Sequence, residues 1–153
     1  MTHLTSEVLE ILAGKTLATA ESCTGGMIGQ MLTAIPGSSA VYKGGIISYT
    51  NEIKNKLLGV DMALLEREGA VSAPVAKAMA EGARRVLCAD IAVSVTGLAG
   101  PGGDDRGNPV GTVYIGYADE TGAEAIFFHF DGDREAVRTQ AAQAALQLVL
   151  SKN

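Results

Sequence analysis

Apolar residues recur along this chain with two periods. Val8, Leu9, Ile11 and Leu12 fall at helical spacing after Thr5 and Ser6, either of which can cap a helix that runs on to Gly14. Residues 16–20 then read as a short buried strand. After Ser22-Cys23-Thr24-Gly25-Gly26 the positions Met27, Ile28, Met31, Leu32 and Ile35 share one helical face until Pro36-Gly37 stops it, which makes a strand, a glycine-rich turn and a helix. Residues 44–50 have the β-branched and aromatic content of a strand, and Asn51 can cap a helix carrying Ile53, Leu57 and Leu58. Two further helices are expected over residues 61–68 and 73–88, the second capped by Ser72 with Pro74 near its start. Residues 91–96, 111–117 and 125–130 read as strands, the last two joined at the Asp119 to Gly122 turn as a hairpin. Residues 134–150 close the chain as a helix started by Asp131 or Asp133, with Val137, Ala141, Ala144, Ala145, Leu148 and Val149 along one side. This order predicts an α/β fold, a three-layer α/β/α sandwich with a mixed, mostly parallel sheet.

Length and composition narrow the possibilities. The 153 residues suit a single domain over residues 1–153, and an apolar content of 47% against 19% charged residues excludes a disordered chain. The formal charge of −5, with no run of Lys or Arg, argues against a general nucleic-acid or acidic-membrane binder and favours a small-molecule partner. Cys23, Cys88, His3 and His129 provide neither a disulfide framework nor a metal-ligand spacing, so no metal is expected and a reducing compartment fits best. Glu7 and Glu10 interrupt the first residues and no long uncharged apolar stretch occurs, so a cytoplasmic protein is expected.

Four groups of residues could carry chemistry. Ser22, Thr24, Gly25 and Gly26 form a strand-to-helix turn whose amides and hydroxyls suit a phosphate or a developing oxyanion, although no P-loop lysine follows. Cys23 has no nearby His and reads more readily as an inert buried thiol than as a nucleophile. Thr96 with Gly97, Gly100 and the glycines beyond forms a loop at a strand's carboxyl end, where open α/β sheets bind ligands. The third group is Gly37-Ser38-Ser39-Ala40, Tyr49 and Lys54: a serine needs a base, and a desolvated lysine can serve as one. Solvated lysines and a plain turn at Ser38-Ser39 are the competing reading. Finally, Arg134 and Arg138 lie four residues apart on one helix face and could clamp a phosphate, or could simply be surface charges beside capping aspartates.

Taken together, these segments resemble the C-terminal domain of the competence/damage-inducible CinA proteins, a domain that also occurs as a free-standing nicotinamide-nucleotide amidase. The matching blocks are Ala20-Glu-Ser-Cys-Thr-Gly-Gly26, Gly37-Ser-Ser-Ala40, Gly44-Gly-Ile-Ile-Ser-Tyr-Thr-Asn51 continuing to Gly59-Val60, Gly69-Ala-Val-Ser72, Val95-Thr-Gly-Leu-Ala-Gly-Pro-Gly-Gly103, Pro109-Val-Gly-Thr-Val113 and Gly132-Asp-Arg-Glu-Ala-Val-Arg138. They run in one order over nearly the whole chain.

The resemblance implies metal-free and cofactor-free hydrolysis of the carboxamide of nicotinamide mononucleotide to nicotinate mononucleotide and ammonia. It also suggests a homo-oligomer. In the roles it implies, Ser39 attacks the amide carbon, Lys54 moves the proton and Tyr49 positions or relays. Ser22, Thr24, Gly25, Gly26, Thr96, Gly97 and Gly100 hold the oxyanion or the nucleotide, and Arg134 or Arg138 meets the phosphate. Ser22 is the rival nucleophile, because a strand-to-helix turn can expose a hydroxyl beside backbone donors. The alternatives in other classes are a non-catalytic nucleotide-binding or regulatory module and a subunit of a competence or DNA-repair assembly; the second lacks a basic face.

Overall fold

Successive strand residues point to opposite faces of a sheet, and here the two faces carry side chains of different size. The computed structural model describes residues 2–153. Its elements follow in the order α1 (Thr2–Ile11), β1 (Leu17–Glu21), α2 (Met27–Thr33), a 3-10 turn (Ser38–Ala40), β2 (Tyr42–Ile47), α3 (Asn51–Leu58), α4 (Met62–Glu68), α5 (Ala73–Val86), β3 (Ile91–Gly97), β4 (Thr112–Asp119), β5 (Gly122–His129) and α6 (Arg134–Lys152).

The strands form one sheet in the order β2-β1-β3-β4-β5. β2, β1 and β3 run parallel, while β3-β4 and β4-β5 pair antiparallel, so the expected mixed α/β sandwich with a terminal hairpin is what forms. One face presents Leu17, Val93, Val95, Val113 and Ile115 to Val8 and Leu12 of α1, Ile28 and Leu32 of α2, and Val137, Ala141, Ala145 and Val149 of α6. Truncating one of these buried leucines to alanine costs about 2–5 kcal/mol. The other face presents Ala18, Ala20 and Ala92 to Leu58, Leu65, Val75, Met79 and Ala83. Small residues let α5 approach closely: a Cβ at Gly116 of β4 would lie 2.2 Å from the Ala76 carbonyl oxygen. Ser94 Oγ in turn donates to that same oxygen at 2.6 Å.

Several element ends differ from the periodicity. Thr5 and Ser6 lie within α1, which starts earlier, and Thr5 is buried. β2 ends at Ile47, and Thr50 rather than Asn51 caps α3, because Thr50 has extended backbone angles and its hydroxyl accepts from Ile53 N at 3.3 Å. Ser72 occupies the cap position of α5, yet its hydroxyl donates to Gly69 O at 2.8 Å instead of accepting from the helix. Asp133, and not Asp131, caps α6, accepting from Ala136 N at 2.9 Å. Among the described residues no helix is long and apolar enough to cross a membrane.

The connection after β1 leads through α2 to an outer strand, β2, while β3 flanks β1 on its other side. The carboxyl ends of β1 and β3 therefore bound a crevice of the kind where open α/β sheets bind ligands. Ser22, Ser48 and Thr96 all stand at that edge of the sheet.

Candidate functional site

Glu21 ends β1 with its side chain buried. Its Oε1 accepts from Thr24 Oγ1 at 2.6 Å, Gly26 N at 3.2 Å and Ile28 N at 3.0 Å, and its Oε2 accepts from Gly29 N at 3.0 Å. These amides belong to the start of α2, where the backbone has no partners of its own and the helix dipole favours an anion. From the opposite side Arg138 of α6 donates Nε to Cys23 O at 2.9 Å and a terminal nitrogen to Thr24 O at 3.1 Å. Gly26 supplies the left-handed backbone, at φ 104°, that lets the turn enter the helix. The turn carrying Ser22 is thus fixed by a carboxylate below and a guanidinium outside.

Lys54 comes to this turn from α3. Its side chain is almost fully buried, at 1% exposure, and Nζ donates to Ser48 O at 2.8 Å, Tyr49 O at 3.2 Å and Ser22 Oγ at 3.1 Å. Among the described residues it forms no ion pair with a carboxylate. Burial without a counter-charge disfavours the ammonium and lowers the Lys54 pKa from 10.5 to about 8. The two carbonyls engage two N–H groups, so in the neutral amine the lone pair is left facing the Ser22 hydroxyl. Burial acts the other way on Cys23, raising its thiol to about 11, which keeps it protonated at neutral pH.

Ser22, Cys23, Tyr49, Lys54, Ala70, Val71, Thr96, Gly97, Leu98, Ala99, Gly100, Gly102 and Arg134 line one cleft of about 310 Å³, at the lower end of the roughly 300–1,000 Å³ usual for small-molecule sites. Thr96 Oγ1 donates to Ala70 O at 2.8 Å, tying the segment before α5 to the end of β3 as one wall. Arg134 forms the opposite rim, donating to Gly100 O at 2.7 Å and to the exposed Tyr49 hydroxyl at 3.4 Å.

The structure brings together Ser22, Tyr49, Lys54, Thr96, Gly97, Gly100 and Arg134. It does not bring Ser39 to Lys54. Ser39 is exposed in the 3-10 turn ahead of β2, while Ser22 follows β1. Because β1 and β2 are parallel and pair Leu17 with Tyr42 and Glu21 with Ile47, these serines sit at opposite edges of the sheet within the chain. Five strand residues separate those edges by about 16 Å. Ser39 as the partner of Lys54 is therefore corrected to Ser22, since linear spacing ignores strand direction. Thr24, Gly25, Gly26 and Arg138 build the turn rather than line the cleft, and Arg138 is committed to two carbonyls. Glu21 had no role in the sequence reading; the available signal was an acid ending an apolar strand directly before a helix start. Among the described residues no group of three His, Cys, Asp or Glu side chains could hold a metal ion.

Residues 1–152 match the model of the CinA C-terminal domain. A CinA-like protein of Geobacter sulfurreducens is 53% identical over 133 residues, covering 87% of this chain and 32% of that protein. One from Anaeromyxobacter sp. strain K is 50% identical over 136 residues, covering 89% of this chain and 33% of the relative. The chain thus spans about a third of the length of these curated relatives. Among solved structures, a competence-damaged protein (CinA) superfamily protein from Escherichia coli superposes with TM-score 0.97 at 36% identity, covering 99% of this chain and 90% of that one. The competence/damage inducible protein CihA from Agrobacterium tumefaciens gives 0.91 at 37%, covering 98% and 93%. The match over almost every residue, with the fold retained in the solved relatives, makes this chain a member of the CinA C-terminal domain family.

Proposed function

We propose that the protein is an amidohydrolase that converts nicotinamide mononucleotide to nicotinate mononucleotide and ammonia, with Ser22 as nucleophile and Lys54 as its base. The observation that supports this reading is the 3.1 Å contact between Lys54 Nζ and Ser22 Oγ, made by a buried lysine with no carboxylate partner. A neutral amine beside a hydroxyl is the arrangement that nucleophilic catalysis by serine requires. The family resemblance supplies the substrate.

In the first half of the reaction, Ser22 Oγ bonds to the carboxamide carbon as its proton passes to Lys54 Nζ. The tetrahedral oxyanion is met by a backbone amide of the turn after Ser22. The Gly25 amide is occupied by Ser22 O and the Gly26 amide by Glu21, and Thr24 does not line the cleft, which leaves the Cys23 amide as the donor from this turn. The carbon-nitrogen bond then breaks, Lys54 returns the proton to the departing nitrogen, and ammonia leaves an ester on Ser22. Water attacks that ester with Lys54 again taking the proton, and nicotinate mononucleotide departs with Ser22 restored. Arg134, at the rim with no carboxylate ion-pair partner among the described residues, receives the phosphate, and Tyr49 borders the ring.

The direct test is incubation with nicotinamide mononucleotide while ammonia and nicotinate mononucleotide are measured by chromatography, beside Ser22→Ala and Lys54→Ala. Equal amounts of both products, lost in each variant, are expected. A folded protein that is thermally stabilised by the nucleotide yet releases no ammonia would instead be a nucleotide-binding module.

A further inference from the structure

Among the described residues, two charged side chains are buried, Lys54 of α3 and Glu21 at the end of β1. Lys54 touches the hydroxyl. Glu21 precedes Ser22 in the chain and does not line the cleft, so it has no contact with a substrate bound there. All four of its hydrogen-bond partners are donors, one hydroxyl and three amides, as a carboxylate requires. Those donors span residues 24–29, so this one side chain fixes both the end of the turn and the beginning of α2. Ser22 itself is held by its amide, which donates to Val95 O at 3.0 Å, and by Gly25 N, which donates to its carbonyl at 3.1 Å. Between these fixed ends, the amide of Cys23, which lines the cleft, has little freedom to turn.

We infer that Glu21 is a positioning residue for the Ser22 nucleophile and for the Cys23 amide after it, acting through its bonds to Thr24, Gly26, Ile28 and Gly29. The inference rests on the amidase reading for its kinetic consequence, but its geometric content concerns Ser22 alone. A glutamine at position 21 keeps the shape of the side chain while turning an NH2 group toward backbone N–H donors, so the turn must shift. A shift of this kind weakens the transition state more than substrate binding, because oxyanion donors act at the position the charge comes to occupy.

The test compares wild type, Glu21→Gln, Glu21→Asp and Thr24→Val by two readouts on protein shown to be folded by thermal melting. The first is kcat and KM for nicotinamide mononucleotide. The second is sulfonylation of Ser22 by phenylmethanesulfonyl fluoride, followed by peptide mass. In that step the Ser22 oxygen-sulfur bond forms, fluoride leaves and Lys54 takes the proton. For Glu21→Gln, kcat is expected to fall about 10²-fold or more with KM changed much less, and Ser22 labelling to slow in parallel. Glu21→Asp should recover part of the loss. If Glu21→Gln does not fold, Thr24→Val, which removes one donor, carries the comparison and is expected to show the same effect in smaller degree. A folded Glu21→Gln, or in its absence Thr24→Val, with wild-type kcat and labelling rate overturns the inference and leaves Glu21 a stability residue. Labelling that slows in the variants of a protein releasing no ammonia overturns the amidase reading and supports the positioning role. Wild-type protein that is neither active nor labelled overturns both.

Discussion

The Lys54 amine and the Ser22 hydroxyl meet at 3.1 Å although 32 residues separate them in the sequence. Each reaches the meeting point from a different parallel strand: Ser22 directly follows β1, and Lys54 lies in the helix that follows β2. Parallel pairing of β1 with β2 puts both connections at one edge of the sheet, and the absence of a carboxylate partner leaves the lysine's charge uncompensated. The meeting of Ser22 with Lys54 thus follows from strand direction, and the lysine's lowered proton affinity from burial.

Ser22 and Ser39 are separable by mutation. Ser22→Ala is expected to lower kcat by about 10⁴-fold or more, as removal of a serine nucleophile does elsewhere. Ser39→Ala, at an exposed position on the far edge, should stay within about twofold, the range of an ordinary surface change. Steady-state ammonia release by the two purified variants decides it, and loss of activity in Ser39→Ala alone would return the nucleophile to that residue.

The lowered pKa of Lys54 gives two pH signatures. The base must be unprotonated, so kcat/KM should rise with pH and level off above about 8. Lys54→Arg should be inactive throughout, because its guanidinium stays protonated. Stability follows the same titration. Below about 8 the lysine is protonated in both folded and unfolded chains and the burial penalty is fully present. Between about 8 and 10.5 the unfolded chain still binds the proton and the folded one does not, so stability rises with pH. The unfolding free energy of wild type minus that of Lys54→Met should therefore increase by about 3 kcal/mol across this window. Denaturant titrations at pH 7 and pH 10.5 measure the difference, and a constant value would show that burial does not perturb Lys54.

Arg134 and Arg138 share a helix face but should fail differently. Arg134→Ala should raise KM for the mononucleotide at least about tenfold, since a charge-assisted contact is worth about 1.5–3 kcal/mol, and should have little effect on hydrolysis of the riboside lacking the phosphate. Arg138→Ala leaves the Cys23 carbonyl without a donor and takes one of two donors from Thr24 O, which keeps the Met27 amide, and should lower stability by about 1–2 kcal/mol. Melting temperatures and KM measured on the same two variants separate these roles; an unchanged KM in Arg134→Ala would remove it from phosphate binding.

Gly116 tests the packing that brings α5 onto the sheet. Gly116→Ala would place a methyl group 2.2 Å from the Ala76 carbonyl oxygen and crowd Ser94 Oγ at 2.4 Å. Overpacking of this kind costs about 1–3 kcal/mol, so the denaturation midpoint should drop. An unchanged midpoint would mean that α5 moves freely on β4.

Much of the fold was legible because it depends on local pattern. Helical spacing marked α2, α5 and α6, β-branched and aromatic runs marked β3, β4 and β5, and the Asp119 to Gly122 turn marked the hairpin. Errors collected at element ends, where one hydrogen bond decides the boundary: Thr50 takes the cap expected of Asn51, and Thr5 and Ser6 are absorbed into a helix that begins earlier. In the site, the hydroxyls, glycines and lysine were visible as residue types suited to acyl chemistry, and the ordered blocks identified the family. Pairing was not visible. Spacing along the chain put Ser39 closer to Lys54 than Ser22 is, but the sheet places Ser39 at the opposite edge. The same holds for charge: Arg134 and Arg138 are equivalent in sequence, and only the turn carbonyls beside Arg138 distinguish them. Glu21 had no apparent task until α2 supplied three amides to its carboxylate.

The sequence by itself determined the α/β alternation and the set of hydroxyls, glycines and charged groups available to the site, because periodicity and side-chain chemistry are properties of short segments. Tertiary structure alone decided which serine meets the lysine, which arginine faces the cleft and how far burial lowers the lysine's proton affinity. Those outcomes depend on distance and desolvation between segments far apart in the chain, and both are set only when parallel strands bring their carboxyl ends to one edge.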